Sequence, residues 1–512
     1  MMATNSVDRK VCAFAELQDR VTSARAEGKR IVLCHGVFDL IHPGHVLHFK
    51  AARQHGDLLV VTVTPDQFVN KGPGRPVFNQ RLRTETIAAF EFVDYVALNL
   101  WPTAVETIER LRPDVYVKGS EYADPARDLT GMILAEERMV QAVGGAIVFT
   151  TEETFSSSSL INRYFSSLPT PTNEYLRGFR QRHGAEEVLG ALRTLSDLDV
   201  LVVGEAILDE YCYCVPLGKA PKDTMIATRY VSEDRFAGGS LAVANHLAGV
   251  CRSVTLVTCL GTDDAQADFV RSKLSANVTL LAARTTDRPT IVKRRYVETT
   301  FLAKLFEVQS LEDRPIQPKT EREIVEALGD RLAKHDLVVV TDFGHGVFTE
   351  EIRKLLCSST AFLAVNTQTN SANLGFNSVT KYQRADYVCL HEGELKLALR
   401  AQYGDVRDLA TRIRAELAAG SVMVTRGPNG SMLFTEDGAV HETPALSLRV
   451  VDRTGAGDAL FALTAPCVFR GAAPEVVGFV ANCVGALAVE IIGNREPVAP
   501  AALKKFMAHL LM

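Results

Sequence analysis

Gly36-Val37-Phe38-Asp39-Leu40-Ile41-His42-Pro43-Gly44-His45 is the stretch on which the fold turns. An apolar run, Ile31-Val32-Leu33-Cys34, precedes it. Helical spacing from about His45 to Arg53 follows, and then a second apolar run, Leu58–Val63. Apolar run, turn, helix, apolar run is the pattern of a βαβ unit with parallel strands. Gly44 lets the backbone come close to a ligand. The helix start offers free N–H groups and positive potential to a phosphate. His42 and His45 flank that point, two imidazoles suited to stabilising charge on a transferring phosphorus.

Outward from this stretch the alternation continues. Helical Arg81–Phe90 leads to the run Tyr95–Leu98, helical Ala104–Leu111 to Val115–Val117, and helical Ile133–Val143 to Ala146–Phe149. The expected first domain is therefore a Rossmann-like α/β unit over residues 1–165. Ser156–Asn173 is rich in Ser, Thr and Pro, and residues 166–196 are expected to be a linker and helical segment. A second α/β domain, 197–512, opens at Asp199–Gly204 and runs on through Val254–Val257, Leu337–Thr341, Phe362–Val365, Tyr387–Leu390 and Val422–Thr425. The insertions Asp209–Arg235 and Ile291–Leu305, rich in Tyr, Val and Thr, suit a small accessory β lid.

The second domain carries its own chemical signal, Val451-Asp452-Arg453-Thr454-Gly455-Ala456-Gly457-Asp458-Ala459-Leu460-Phe461. Gly455 and Gly457 permit a tight turn whose N–H groups converge on an anion, and the helix that begins there adds its dipole. Asp458, in the first turn of that helix, is placed to take the proton of an acceptor hydroxyl as its oxygen attacks a γ-phosphate.

Composition excludes several classes. The chain has 512 residues, 47% hydrophobic and 23% charged, which suits a globular protein of several domains. With 56 Lys and Arg against 61 Asp and Glu, a net charge of -5 argues against a general nucleic-acid binder. The 10 cysteines are scattered with no CxxC pair, which fits reduced thiols rather than a disulfide framework or a zinc site. Met1–Lys10 lacks an apolar core and no run reaches 18 apolar residues. The expectation is no signal peptide, no membrane partner and a cytoplasmic location.

The first motif resembles the HxGH nucleotidyltransferases of the cytidylyltransferase-like family, over about Lys29 to Phe165. The heptose-phosphate adenylyltransferases among them are the most similar. The resemblance includes Lys71-Gly72-Pro73-Gly74-Arg75-Pro76-Val77, Gln80-Arg81, Arg112–Tyr122 and Phe155-Ser156-Ser157-Ser158-Ser159-Leu160-Ile161. It implies catalytic roles for His42, His45 and Lys118. It also implies nucleotide contacts from Gly36, Phe38, Asp39, Lys71, Ser157 and Ser158, with Arg75 or Arg81 as further cations. An acceptor phosphate would attack the α-phosphate of ATP or CTP, aided by Mg²⁺, and pyrophosphate would leave.

The second motif resembles the ribokinase/PfkB carbohydrate kinases, from about Asp199 to the C-terminus. Support comes from Gly204–Asp209, Gly238-Gly239, Gly261–Asp264, Asp342–Gly346, Thr425–Gly430 and Asn482. The resemblance implies a ribokinase-like α/β fold with a small β lid. Asp458 would be the base and Gly455, Ala456 and Gly457 the anion hole. Thr425, Gly427 and Asn482 would lie near ATP, Asp209, Gly238 and Gly239 at the sugar, and Glu394 at Mg²⁺. Together the halves resemble the bifunctional heptose-phosphate kinase/adenylyltransferases in reversed order, and so imply an enzyme that phosphorylates a sugar phosphate and activates it as a nucleotide sugar. A homodimer through the lid, with the Tyr211–Val215 strand as an exposed edge, belongs to the same expectation.

Four positions depart from the kinase pattern: Ala242 replaces a sugar-contacting Asn, Asn366 and Gln368 replace the acid and base of a D-P-K-G stretch, and His391 replaces the Asn of N-x-x-E. A changed acceptor accounts for them. The open alternatives are a catalytically silent sugar-binding module beside a working nucleotidyltransferase, and a CTP-using enzyme for a non-heptose phosphate.

Overall fold

The structure, a computed structural model, describes residues 6–69, 75–122, 132–150 and 168–512. The chain divides into two compact units, Met1–Pro169 with Lys504–Met512, and Thr170–Leu503.

In the first unit the strands are β1 (Ile31–Gly36), β2 (Leu58–Val63), β3 (Tyr95–Leu98), β4 (Val115–Lys118) and β5 (Ala146–Phe149). They form one parallel sheet in the order β3-β2-β1-β4-β5. β2 is buried along its whole length, as are the first four residues of β1. Helices on both faces make continuous apolar runs rather than alternation the strand signal here. Two cores result, one around Leu33, Tyr116 and Leu17, the other around Phe49, Val61 and Ile87. The order reverses between β1 and β4, and the His42–His45 turn follows the carboxyl end of β1, where ligands of such sheets bind.

In the second unit the strands are β6 (Asp199–Gly204), β7 (Ala206–Lys219), β8 (Ile226–Gly239), β9 (Ser253–Gly261), β10 (Val278–Thr285), β11 (Ile291–Glu298), β12 (Lys304–Ser310), β13 (Leu337–Asp342), β14 (Phe362–Thr367), β15 (Tyr387–His391), β16 (Ser421–Thr425), β17 (Ser431–Thr435) and β18 (Val440–Thr443). Nine form the main sheet, β10-β9-β6-β13-β14-β15-β16-β17-β18, parallel as far as β16 and antiparallel beyond it. The other four, β12-β11-β7-β8, are the lid.

One expectation changes. Tyr211–Val215 is not an edge: β7 lies between β11 and β8, and Tyr211, Cys212 and Cys214 are buried. The edges of the lid are β8 and β12, because the long hairpin β7–β8 and the parallel pairing with β11 enclose β7. The segment after the Ser/Thr/Pro stretch is two helices, Thr170–Arg182 and Ala185–Arg193, that belong to the second unit. Phe179 stacks on Phe479 with centroids 4.5 Å apart, and Arg182 and His183 both reach Glu475 at 2.9 Å. No helix among the described residues is long and apolar enough to cross a membrane.

Candidate functional site

In the first unit the helix after the turn spans Pro43–Arg53, with Pro43 at its first position and His42 as N-cap. Proline loses nothing there, because that N–H has no helical partner anyway. His42 Nδ1 accepts the Gly44 N–H at 3.1 Å, so the proton of the neutral ring sits on Nε2. Burial lowers the His42 pKa, which favours that neutral form. The His45 ring lies 4.0 Å from the His42 ring, centroid to centroid, and meets Phe38 edge-on at 5.5 Å. The turn thus presents two imidazoles as one pair.

The residues expected beside them have work inside the protein. Phe38 is buried against Phe49 with a backbone φ of 49°, and a Cβ at Gly36 would come within 3.0 Å of its ring. Asp39 accepts from Arg75 Nη1 at 2.9 Å and from the Val77 N–H at 2.6 Å, which ties the 75–78 segment to the turn. The side chains of Phe38 and Asp39 are therefore committed within the protein, and the backbone is what these positions leave open to a ligand. Lys118 is buried rather than solvated. Burial opposes its charge, but Glu136 at 2.9 Å raises its pKa well above the usual lysine range. Glu136 also accepts from Tyr116 Oη at 3.0 Å. Arg81 is exposed and pairs with Glu85 at 2.7 Å. Arg83, not singled out from the sequence, is buried and donates to Thr64 O and Asp66, bracing the loop behind the turn. Lys71, Ser157 and Ser158 lie outside the described residues.

Asp39→Ala removes the carboxylate from a pair whose side chains are 3% and 0% exposed. The expected loss is about 3–5 kcal/mol. The one tryptophan, Trp101, packs on Phe14 in this unit, so urea unfolding followed by its fluorescence measures the loss.

In the second unit a cavity of about 660 Å³ gathers residues from both sheets, within the usual range for a small-molecule site. It brings together Asp458, Gly455, Ala456, Gly457, Thr425, Gly427, Asn482, Asp209, Gly239 and Glu394. Gly238 stands behind it: a Cβ there would sit 2.1 Å from Asp209 Oδ2, so the glycine makes room for that carboxylate. Gly455 is the N-cap of helix Ala456–Phe469, at φ 80°, and a Cβ would meet Asn494 Oδ1 at 2.0 Å. Left-handed backbone and close approach both require glycine. Beyond its chain neighbours and its own helix backbone, a Cβ at Gly457 would meet nothing within 4 Å, so the turn is open at this position.

Asp458 is buried, and its pKa is raised to about 7. Burial is the main cause and the negative charge of Asp209 adds to it, while a hydrogen bond from Gln368 acts in the opposite direction. Asp209 accepts from Arg295 at 2.5 Å and from Asn494 at 3.1 Å. Lys293, buried on the cavity wall, has its pKa lowered by burial. Asp452 receives Lys304 and Tyr211, each at 2.6 Å. Burial alone would raise its carboxyl, but these partners hold it at about 2. The lid strand β12 is thereby fastened to the glycine turn.

Two expected contacts are partly committed elsewhere. Asn482 donates its amide to Ser431 Oγ at 2.7 Å and Gly478 O at 2.9 Å. Glu394 caps helix Glu392–Ala398, accepting the N–H groups of His391 at 2.8 Å and Thr369 at 3.0 Å, and burial pushes it up to about 7. His391, the other half of that capping box, accepts from the Gly393 N–H at 3.1 Å. Sequence reading singles out none of Lys293, Arg295, Lys304 and Asn494, and takes Gln368 only as a departure from the kinase pattern. The cluster Lys293-Arg294-Arg295 in a β-rich insertion was the available signal for two of them.

Comparison with known proteins agrees with both halves. The pfkB family carbohydrate kinase model matches residues 197–502 and the cytidylyltransferase-like model residues 33–163. The chain is 44% identical over 117 residues to the bifunctional protein HldE of Methylobacillus flagellatus, which is 22% of this chain and 24% of that one. It is 39% identical over 157 residues to the bifunctional protein HldE of Koribacter versatilis, 30% and 31% of the two chains. The chain thus spans about a quarter to a third of the length of these curated relatives. Escherichia coli phosphofructokinase-2, solved in complex with substrates and products, shares the fold at a TM-score of 0.50 and 16% identity, over 61% of this chain and 99% of that one.

Proposed function

The chain belongs to the pfkB family of carbohydrate kinases, and on that premise we propose that it is a bifunctional transferase. The second unit phosphorylates a sugar phosphate of heptose type from ATP. The first transfers a nucleotidyl group to the resulting sugar phosphate and releases pyrophosphate. The observation that carries it is Asp458: a buried carboxyl poised near neutrality in the first turn of a helix, behind a left-handed glycine, on the wall of a cavity of substrate size.

In this mechanism Asp458 accepts the proton of the acceptor hydroxyl as that oxygen attacks the γ-phosphorus of ATP, and ADP leaves. The N–H groups of the Gly455–Gly457 turn receive the negative charge on the transferred group. Asp209, braced by Arg295 and Asn494, orients the acceptor. In the first unit His42 Nε2–H donates to the nucleotide's phosphates beside His45. ATP is the nucleotide assigned to that unit, with CTP the competing outcome.

No cluster of three His, Cys, Asp or Glu suited to a metal occurs among the described residues. A cation at the kinase cavity would therefore be held mostly by substrate phosphates and water, as Mg²⁺ commonly is. Glu394 fits as its protein carboxylate, since a group that burial holds near 7 is one whose charge a cation would stabilise. Mg²⁺ there supplies charge neutralisation on the phosphates. The ten free cysteines suit a reducing, cytoplasmic location. A second copy of the chain is assigned to the lid, where Tyr230, Val231, Phe306 and Val308 are half or more exposed.

The test is phosphorus NMR of the full chain with Mg²⁺, ATP, CTP and a panel of heptose and hexose phosphates. A sugar bisphosphate with ADP, followed by pyrophosphate and a nucleotide sugar, is the expected result. Asn366, Gln368 and His391 favour a second reading, a silent sugar-binding second unit. Pyrophosphate and a nucleotide sugar from a sugar 1-phosphate, with no ADP from any acceptor, would establish it.

A further inference from the structure

The Asp458 carboxylate has two oxygens, and the protein takes hold of one. Gln368 Nε2 donates to Oδ1 at 2.5 Å, across 90 residues of sequence. Gln368 sits one residue beyond β14, and its backbone is fixed on both sides. Its N–H donates to Asp342 O at 2.9 Å, and its carbonyl accepts from Asn377 Nδ2 at 3.0 Å. Asn377 is itself held by Lys381 Nζ at 2.5 Å, and Lys381 pairs with Asp342 at 2.6 Å. A braced side chain that meets a carboxylate head-on selects one orientation of it, because only that orientation keeps the bond.

We propose that Gln368 is a positioning residue for phosphoryl transfer: its neutral amide holds Asp458 Oδ1, turns Oδ2 to the acceptor hydroxyl, and keeps cationic charge off the base. The proposal rests on Asp458 being that base. The charged and titratable groups that line the cavity with Asp458 are Asp209 on β7, Lys293 and Arg295 on β11, Cys389 on β15, His391 and Glu394 at the start of helix Glu392–Ala398, Arg426 after β16, and Arg453 in its own loop. Acid and base are both represented, so the group in direct contact decides the balance. An amide in that place lets burial dominate and leaves the carboxyl near 7, where a general base is most effective. An ammonium there would pull it down.

The experiment uses the full chain and the acceptor that reacts in the NMR panel. It compares wild type, Gln368→Met, which keeps length without a donor, and Gln368→Lys, which keeps a donor and adds charge. Gln368→Met is expected to lower kcat about tenfold or more, the loss of a hydrogen bond to a charged group, with the KM for ATP unchanged. Gln368→Lys is expected to retain more kcat and to move the acid limb of kcat/KM down by about one pH unit or more. An acid limb that does not move, with kcat of Gln368→Met equal to wild type, overturns the proposal.

A second readout does not require turnover. Asp458 has a folded pKa above its unfolded value, so its contribution to stability is greatest below the unfolded pKa and is lost as pH rises toward the folded one. Gln368→Lys lowers the folded pKa and should shrink the fall in thermal midpoint between about pH 5 and pH 8. Equal falls in the two proteins overturn the positioning contact. Absence of Asp458-dependent ADP from wild type overturns the kinase reading instead, and the thermal comparison still decides whether Gln368 governs this carboxyl.

Discussion

Asp458→Asn is expected to reduce ADP formation about a thousandfold, the scale on which a positioned base contributes, while leaving pyrophosphate release intact. Asn keeps an oxygen for the Gln368 amide at nearly the same place, so the variant removes basicity with little change of shape. It should also be more stable than wild type at pH 8. The wild-type chain must hold a carboxyl buried beside Asp209, and that cost grows as pH rises from about 4 to about 7. An amide carries no such cost. The gain is on the order of a few kcal/mol at pH 8 and disappears near pH 4. ADP release at saturating ATP and thermal melts at both pH values measure the two effects. Unchanged ADP release would remove Asp458 from the mechanism, whatever the melts show.

His42→Asn and His45→Ala are expected to have the opposite pattern. Nucleotidyl transfer should fall about a hundredfold to a thousandfold, the range for losing one charge-stabilising donor, with ADP formation unchanged. Asn is chosen at position 42 because His42 is a helix N-cap whose side chain accepts the Gly44 N–H. Asn fills that role well, so the helix start survives and only the ring is lost. At position 45 the ring packs against Phe38, and alanine leaves a gap at the turn. Trp101 fluorescence separates a folding defect in this unit from a chemical one. A loss of both activities in a folded variant would mean the two sites do not act independently.

The legible parts of the sites are the contiguous ones. The His42–His45 turn and the Thr454–Asp458 turn each lie within a few residues, and each sits where an apolar run or an apolar helix places it. Departures from pattern were legible too, but their meaning was not. Gln368 read as the loss of a cation, and its contact with Asp458 spans 90 residues. Lys304 reaches Asp452 across 148 residues, and Asn494 reaches Asp209 across 285. No local periodicity carries such distances.

Burial also adds what sequence does not show for single residues. The resemblance offers Lys118 as a catalytic cation, and the structure encloses it with Glu136 at the end of β4. Asp39 looked like a ligand contact, yet two backbone N–H groups and Arg75 claim it. Tyr211–Val215 looked like an edge because alternation cannot tell how many neighbours a strand has.

By itself, then, the sequence determined two α/β units, the order in which they come, a lid built from the β-rich insertions, and the two turns where phosphate chemistry belongs. These follow from short-range spacing, since apolar runs become parallel strands and glycine before a helix becomes an anion-binding turn. Only the tertiary structure decided which charges meet. The lid strands β7 and β11, the main-sheet strand β14 and the helix Ala456–Phe469 meet at one cavity, and in that low-dielectric space neighbours from distant segments set the ionisation of Asp458.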